Sequence, residues 1–470
     1  MNARRQFHGC ANAFIRIGPL VFCRPLSHDR AVAVAQCSLL DAVSSRTGDA
    51  DRDTAIAPIK DGNLDVAERR NLPLDGVTVI DLGQVYQGPY ATLLMAKAGA
   101  DVIKVEPLGG EPIRQRVHVS KGAAVPFAML NANKRAITLN LKSDRGREIL
   151  IRLASGADVL LENYAPGVMD KLGIGWPVLN KVNPSLIYAS GSGYGLSGPD
   201  RDNLAMDITV QAASGMMSVT GFPDGPPVKA GPAVVDFLSG VHLYAGIMTA
   251  LYERTFTGKG RLVEVAMQEV VYPALASNLA FFYDQGIAPP RTGNRHGGLA
   301  AAPYNVYPTS DGYIAIIGIS EGHWSNLLEA IGRKDLADDE RFSSKPARVK
   351  NIEETDALIS EWTQRHTKAE AFETFRACKV PSAPVRDLIE VTNDKHMHER
   401  GMLEWIDHPQ FGKIVVPNSP LRLHGADQVE PMPSPQLGEH NREILGRVLR
   451  LDRAEIERLE ADGVIGKSEI

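Results

Sequence analysis

The sequence predicts a doubly wound α/β domain on a mostly parallel sheet, joined to a smaller α+β part. Three observations carry this. Short apolar runs recur at Val77 to Leu82, Val102 to Val105, Ala136 to Leu141, Asp158 to Leu161 and Leu186 to Ser190, each reading as a strand buried on both faces. Helical patterns lie between them, at Tyr90 to Ala98 and at Asp144 to Ala154. Their ends are punctuated as helices should be, with Gly88-Pro89 opening the first and Gly99 closing it. Strands alternating with helices at this spacing call for right-handed βαβ crossovers and a parallel sheet covered on both sides.

In such sheets ligands bind beyond the carboxyl ends of the strands. That directs attention to the loop Gly83 to Gly88 after the first strand, where amides opening the next helix can receive an anion or a carbonyl oxygen. After about residue 290 the texture changes. Ala315-Ile316-Ile317 reads as a strand behind the turn Ser310-Asp311-Gly312, His323 to Ile331 and Glu354 to Trp362 read as helices, and Ala454 to Leu459 as a docking helix.

The most informative single residue is Asp236. It follows Pro232-Ala233-Val234-Val235, and Phe237, Leu238, Val241, Tyr244, Ile247, Met248 and Leu251 then repeat at helical spacing until Thr257-Gly258. The placement predicts an N-cap whose carboxylate takes exposed amides, feels the helix dipole and stays ionised at neutral pH. In a closed pocket such a carboxylate is a nucleophile.

Composition bounds the function. The chain has 470 residues, 44% hydrophobic and 23% charged, enough for two or three well-buried domains. With 51 Lys plus Arg against 56 Asp plus Glu, the net charge of -5 gives no global field for nucleic acid. Of four cysteines, Cys10, Cys23 and Cys37 stand before residue 40, without disulfide or metal-ligand spacing, and a cytoplasmic, reducing setting is expected. Residues 1 to 28 carry Arg4, Arg5, Arg16 and Arg24 and no acid, so a mitochondrial presequence is the alternative. No run of roughly 18 uninterrupted apolar residues marks a membrane span.

Several motifs fail on context. Gly193 to Gly198 fits G-x-G-x-x-G but is followed by Pro199-Asp200-Arg201-Asp202 rather than an apolar helix. Gly258-Lys259 lacks the glycine five residues earlier that a phosphate-cradling loop needs, and Ser190 and Ser192 lack the glycine two places before a nucleophilic serine. His396, His398 and His408 read as a polar surface rather than a metal site, and no metal is expected. Asn131 to Arg135 concentrates cations and amides that either sit on the surface or hold phosphates.

Taken together, Asp81 to Pro89, Gly99 to Glu106, Asn133-Lys134-Arg135, Glu162 to Gly167, Gly193-Tyr194-Gly195, Thr257 to Gly260 and Gly293 to His296 resemble the class III CoA-transferases, the CaiB/BaiF group that includes formyl-CoA transferases and 2-methylacyl-CoA racemases. The likeness runs from about Leu74 to the C-terminus. It implies a large Rossmann-like CoA-binding domain at 73–290 with 395–470, a small domain with linkers at 291–394, and an interlocked homodimer. Residues 1–72 would be an N-terminal extension.

The resemblance further implies transfer of CoA from an acyl-CoA, plausibly succinyl-CoA, to a small carboxylic or dicarboxylic acid through an aspartyl mixed anhydride, with no tightly bound cofactor. It puts the nucleophile on Asp236, with Asp207, Tyr86, Gln87 and the shielding loop at Gly297 and Gly298 in support. CoA contacts fall on Leu139, Lys142, Asn163, Tyr164 and Lys171, with Arg135 added from the cation cluster. Where formyl-CoA transferases place a glutamine this chain has Tyr86, and where they place an arginine after the second strand it has Pro107, leaving Arg114 or Arg116 to supply that contact. Racemases of the group pair their aspartate with a histidine whose place here is Met206, which cannot shuttle a proton. A 2-methylacyl-CoA racemase of the same group and a non-catalytic acyl-CoA-binding protein are the alternatives.

Overall fold

The computed structural model describes residues 71–118 and 121–467. Apart from Asn71 and Leu72, the extension expected at 1–72 lies outside them.

The apolar runs form a six-stranded, all-parallel sheet of β1 (Thr78–Asp81), β2 (Asp101–Glu106), β3 (Arg135–Thr138), β4 (Val159–Glu162), β5 (Ile187–Ser192) and β6 (Leu262–Ala266). Its order is β3-β2-β1-β4-β5-β6. The chain reverses its winding between β1 and β4, whose Ile80 and Leu160 are in register, and it is beyond such a switch point that open parallel sheets take their ligands.

Alternate residues along each strand face opposite cores. Ile80, Ile103, Ile137 and Leu160 pack against the helix Asp144–Ser155 and, from the far end of the chain, Ile444, Leu445, Ile456 and Leu459. Val79, Val102, Val159 and Ile187 pack against the helices Gln87–Lys97 and Val234–Thr257 through Ala91, Met95, Leu243, Ile247 and Ala250. The C-terminal helix Arg453–Ala461 thus docks on the first sheet face.

Val234–Thr257 is long and apolar enough to cross a membrane by length and composition. One side of it covers the sheet, with 39% of its apolar stretch buried, and Gly258 ends it in the left-handed conformation at φ 66°.

A separate core gathers Tyr307, Ile314, Ile316, Trp324, Leu327, Ile359 and Phe375. It lies beneath an antiparallel sheet of β7 (Tyr304–Pro308), β8 (Tyr313–Ile317) and β9 (Ser382–Pro384). β10 (Leu403–His408) and β11 (Gly412–Pro417) form a hairpin. The helices expected at 323–331 and 354–362 are present as Glu321–Ala330 and Ile352–Thr363.

Candidate active site

The crevice at the β1/β4 switch is held by a buried charge network. Asp81, the last residue of β1, accepts Gly83 N at 2.8 Å through Oδ1 and Thr92 Oγ1 at 2.7 Å through Oδ2. Lys134 Nζ stands 3.0 Å from the same Oδ2 and is ringed by Pro89 O, Thr92 Oγ1 and Asn131 Oδ1. Burial pushes the Asp81 carboxyl up, yet Lys134 and Lys104 outweigh it and hold the group below the ordinary carboxylate range. Lys104, fully buried, donates to Gly83 O at 2.6 Å and lies 3.2 Å from Glu111. Glu111 Oε2 in turn accepts Val85 N at 2.9 Å. Val85 has φ 65°, a left-handed backbone that a β-branched residue adopts only when its surroundings impose it. The network fixes both ends of the Gly83–Val85 turn. From the other side Asn163, one residue past β4, accepts Gln84 N at 2.7 Å and donates to Gln84 O at 3.0 Å.

This turn presents Tyr86 and Gln87 to the start of the long helix. Tyr86 stacks on Phe237 at 5.8 Å between ring centroids, and Tyr90 meets the same ring edge-on at 4.9 Å. One turn beyond Asp236, on the same helical face, stands Gly240. A Cβ there would lie 2.7 Å from Gln87 O, so glycine lets the two helices close up. Gln87 is buried and its Nε2 has no hydrogen-bond partner among the described residues.

Asp236 is not the N-cap the sequence suggests. The helix starts at Val234 with Ala233 as its cap, and Asp236 lies in the first turn, 9% exposed. Asp207 takes the capping role instead: its Oδ1 accepts Val235 N at 2.9 Å and Asp236 N at 3.2 Å. Asp207 opens the helix Asp207–Ala213 and its Oδ2 accepts Gln211 Nε2, while Gln211 Oε1 accepts Ala230 N at 2.8 Å. Val210, Val235, Met267 and Val271 pack the two helix starts together.

The consequence is electrostatic. Among the described residues nothing donates to the carboxylate oxygens of Asp236. Burial, and second the Asp207 charge, raise it from an ordinary 3.8 to about 7. The amides expected to hold this carboxylate's charge are taken by Asp207, so the carboxyl stands near neutrality rather than in the ordinary carboxylate range.

The remaining expected residues divide. Asn163 and Tyr164 stand at the carboxyl edge of β4, with Tyr164 N held at 2.8 Å by Glu162 Oε2. Leu139, just past β3, is buried and its amide continues the pairing to Glu106 O at 2.8 Å. Lys142 and Lys171 are exposed and line one open depression with Arg147 and Asp170. Arg135 does not join them. It opens β3, pairing with Asp101 at the start of β2 and with Glu443, so it faces the amino edge of the sheet. Lys134 is likewise spent inside. Gly297 and Gly298 rest on the start of the helix Ala276–Gln285, where added Cβ atoms would come within 2.9 Å of Asn278 Nδ2 and Ser277 O. Those are their contacts here, rather than Asp236.

Of the two arginines offered for the missing contact, Arg114 is occupied. It grips Glu106 at 2.8 and 3.0 Å and lies 3.7 Å over the Phe127 ring. Arg116 is exposed and reaches Tyr86 OH at 3.4 Å. Glu162 went unremarked as a buried acid. Burial raises it to about 7, and its apolar neighbours Leu160 and Leu161 were the only local sign. Among the described residues no three His, Cys, Asp or Glu side chains gather as a metal site would require. His408 instead meets Ser434 Oγ at 3.1 Å.

Residues 74–441 match the model of CoA-transferase family III. A formyl-CoA:oxalate CoA-transferase of Streptomyces avermitilis is 38% identical over 83% of this chain and 99% of its own. A succinyl-CoA:D-citramalate CoA-transferase of Chloroflexus aurantiacus is 34% identical over 85% and 100%. The succinyl-CoA:glutarate CoA-transferase of Mus musculus is 33% identical over 84% and 91%. A solved CaiB/BaiF family protein from Brucella suis, 33% identical, superposes with a TM-score of 0.71 over 82% of this chain and 100% of that one. A family match over residues 74–441, with relatives 33–38% identical over more than four-fifths of the chain, makes this chain a CoA-transferase of family III.

Proposed function

We propose that the enzyme moves CoA from an acyl-CoA, succinyl-CoA foremost, to a small dicarboxylic acid through covalent intermediates on Asp236. The observation that carries this is the Asp236 carboxylate itself, nearly buried, raised to about 7 and without a hydrogen-bond donor on its oxygens. Such a group is substantially ionised at neutral pH, and its raised proton affinity makes the ionised form a better nucleophile.

In the first step an Asp236 oxygen attacks the donor thioester carbonyl, the C–S bond breaks, and CoA leaves as thiolate. The thiolate then attacks the Asp236 carbonyl of the mixed anhydride, expelling the donor acid and leaving an enzyme–CoA thioester. The acceptor carboxylate attacks that thioester and releases the thiolate again. Finally the thiolate takes the acceptor acyl group, and Asp236 is freed as carboxylate. Each step conserves acyl energy, so no nucleoside triphosphate is needed.

Gln87, whose backbone oxygen meets Gly240 one turn beyond Asp236 and whose side-chain amide lies against Gly191 of β5, has an unpartnered Nε2 suited to the developing oxyanion. Asn163, Tyr164, Lys142 and Lys171 are suited to the CoA moiety along the carboxyl edge. The relatives' printed substrates support the dicarboxylate class.

A second copy of the chain completes the proposal. The helix Ala276–Gln285 buries none of its residues, and Tyr252, Phe256 and Tyr283 are 72%, 66% and 74% exposed, an apolar surface of the kind that marks an interface. A Gly297–Gly298 loop that excludes water from the anhydride, and a cytoplasmic setting, belong to the same reading.

Hydroxylamine added during turnover should convert the acylated Asp236 to its hydroxamate, found by peptide mass spectrometry. Absence of that label in an enzyme that still exchanges CoA would sink the mechanism.

A further inference from the structure

We infer that Arg116, backed by Tyr86, binds the distal carboxylate of the acyl group and makes this a dicarboxylate-selective site. The inference rests on the proposed transfer at Asp236 and names the group that selects its substrates. Three observations lead to it.

Arg114 and Arg116 both follow β2 on the crevice side, but the first is tied to Glu106 and stacked on Phe127. Arg116 is exposed; among the described residues its guanidinium has no carboxylate partner and a single hydrogen bond, to Tyr86 OH. Tyr86 spans the ground between that guanidinium and the catalytic helix. Its hydroxyl meets Arg116 at one end, and its ring stacks on Phe237, the neighbour of Asp236, at the other.

The charge at the reaction centre favours such a group. Asp236 and Asp207 put two carboxyls at the reaction centre, close enough for one to raise the other. A dicarboxylate acceptor adds a reacting carboxylate there and carries its second charge along the chain. A cation displaced from Asp236 by one aromatic side chain offsets that second charge without lowering the nucleophile's own proton affinity. An arginine fork is matched to a carboxylate, and a tyrosine hydroxyl beside it adds a further donor. Donor acid and acceptor acid occupy the same acyl position in turn, so one arginine serves both half-reactions. The aromatic wall of Tyr86, Tyr90 and Phe237 suits the methylenes between the carboxylates.

The test uses the full-length enzyme with succinyl-CoA and butyryl-CoA as donors, and glutarate and pentanoate as acceptors, pairs matched in chain length. In Arg116→Gln the ratio of kcat/KM for each dicarboxylate over its monocarboxylate partner should fall by about tenfold or more, as loss of a hydrogen bond to a charged group predicts. The loss should lie mainly in KM. Arg116→Lys should keep most of the ratio, and Tyr86→Phe should lower it by less than Arg116→Gln. An unchanged ratio in Arg116→Gln, or equal losses for both members of each pair, would overturn the assignment. A wild-type enzyme that does not prefer the dicarboxylates would do so too. Hydroxamate formation at Asp236 is measured in the same samples. If it is present while the ratio stays fixed, only the role of Arg116 fails; if it is absent in wild type, the Asp236 mechanism fails instead.

Discussion

Asp207 caps the helix that bears Asp236, holding the amides of Val235 and Asp236 at 2.9 and 3.2 Å on one carboxylate oxygen. One acid therefore takes the helix-terminal amides and denies them to the other. Because Asp236 must be ionised to attack, kcat/KM should rise with pH through about 7. In Asp207→Asn that limb should move to lower pH, but only part of the way to an ordinary aspartate, since burial is the larger cause and remains. A pH–rate profile of both proteins checks this; an unmoved limb would show that Asp207 does not raise Asp236.

The same shift has a stability cost with an unusual sign. A carboxyl with a raised folded pKa binds its proton more tightly in the native state, so between about 4 and 7 stability falls as pH rises. Asp236→Asn removes that penalty. The variant should match wild type near pH 4 and exceed it by about 2–4 kcal/mol at pH 8, from roughly 1.4 kcal/mol per pKa unit. Urea melts at both pH values measure the difference, and a variant less stable at pH 8 would refute it.

Gln87 gives a separate handle on the chemistry. Among the described residues its buried Nε2 has no partner, a state that costs energy unless another polar atom fills it. Gln87→Ala should lower kcat by about 10²-fold, the usual loss for one oxyanion donor, with a smaller change in KM. Equal effects on kcat and on binding would assign the residue to packing.

Lys104 connects the loop to the fold. It holds Gly83 O and neutralises Glu111, whose other oxygen holds Val85 N. Lys104→Met keeps the volume but strands a buried carboxylate, so about 3–5 kcal/mol of stability should be lost. Lys104→Met with Glu111→Gln should recover part of that loss while activity stays low, because the Gly83–Val85 turn has lost its anchors. Full activity in the double variant would make the network structural only.

The legibility of this chain follows burial. β1 to β5 are buried along nearly their whole length and appear in the sequence as short, mainly apolar runs, β2 interrupted by Lys104. β6 is an edge strand in which exposed Leu262 and Glu264 alternate with half-buried Val263 and Val265, and neither it nor the short antiparallel strands near residues 304 and 403 rises above the background. Asp236 was legible as a residue at a helix start, but its cap comes from Asp207, 29 positions away, beyond any local pattern. The cluster at 131–135 misled because charge alone does not say which end of a strand it occupies. Arg135 opens β3, and a parallel sheet places its ligands at the other end.

That distinction predicts how CoA is held. Lys142 follows β3 and Lys171 follows β4, both at the carboxyl edge and both lining one depression. Arg135 is paired with Asp101 and Glu443 at the amino edge. Lys142→Ala and Lys171→Ala should each weaken CoA binding several-fold, and more at low salt, since exposed cations act on phosphate through a screened field. Arg135→Ala should leave the Kd for CoA within about twofold and instead lower stability by up to about 1 kcal/mol, as for exposed ion pairs. Calorimetric titration of the three variants decides between the edges. Weakened binding in Arg135→Ala without loss of stability would put the phosphates on the amino side, where no loop of the β1/β4 crevice reaches.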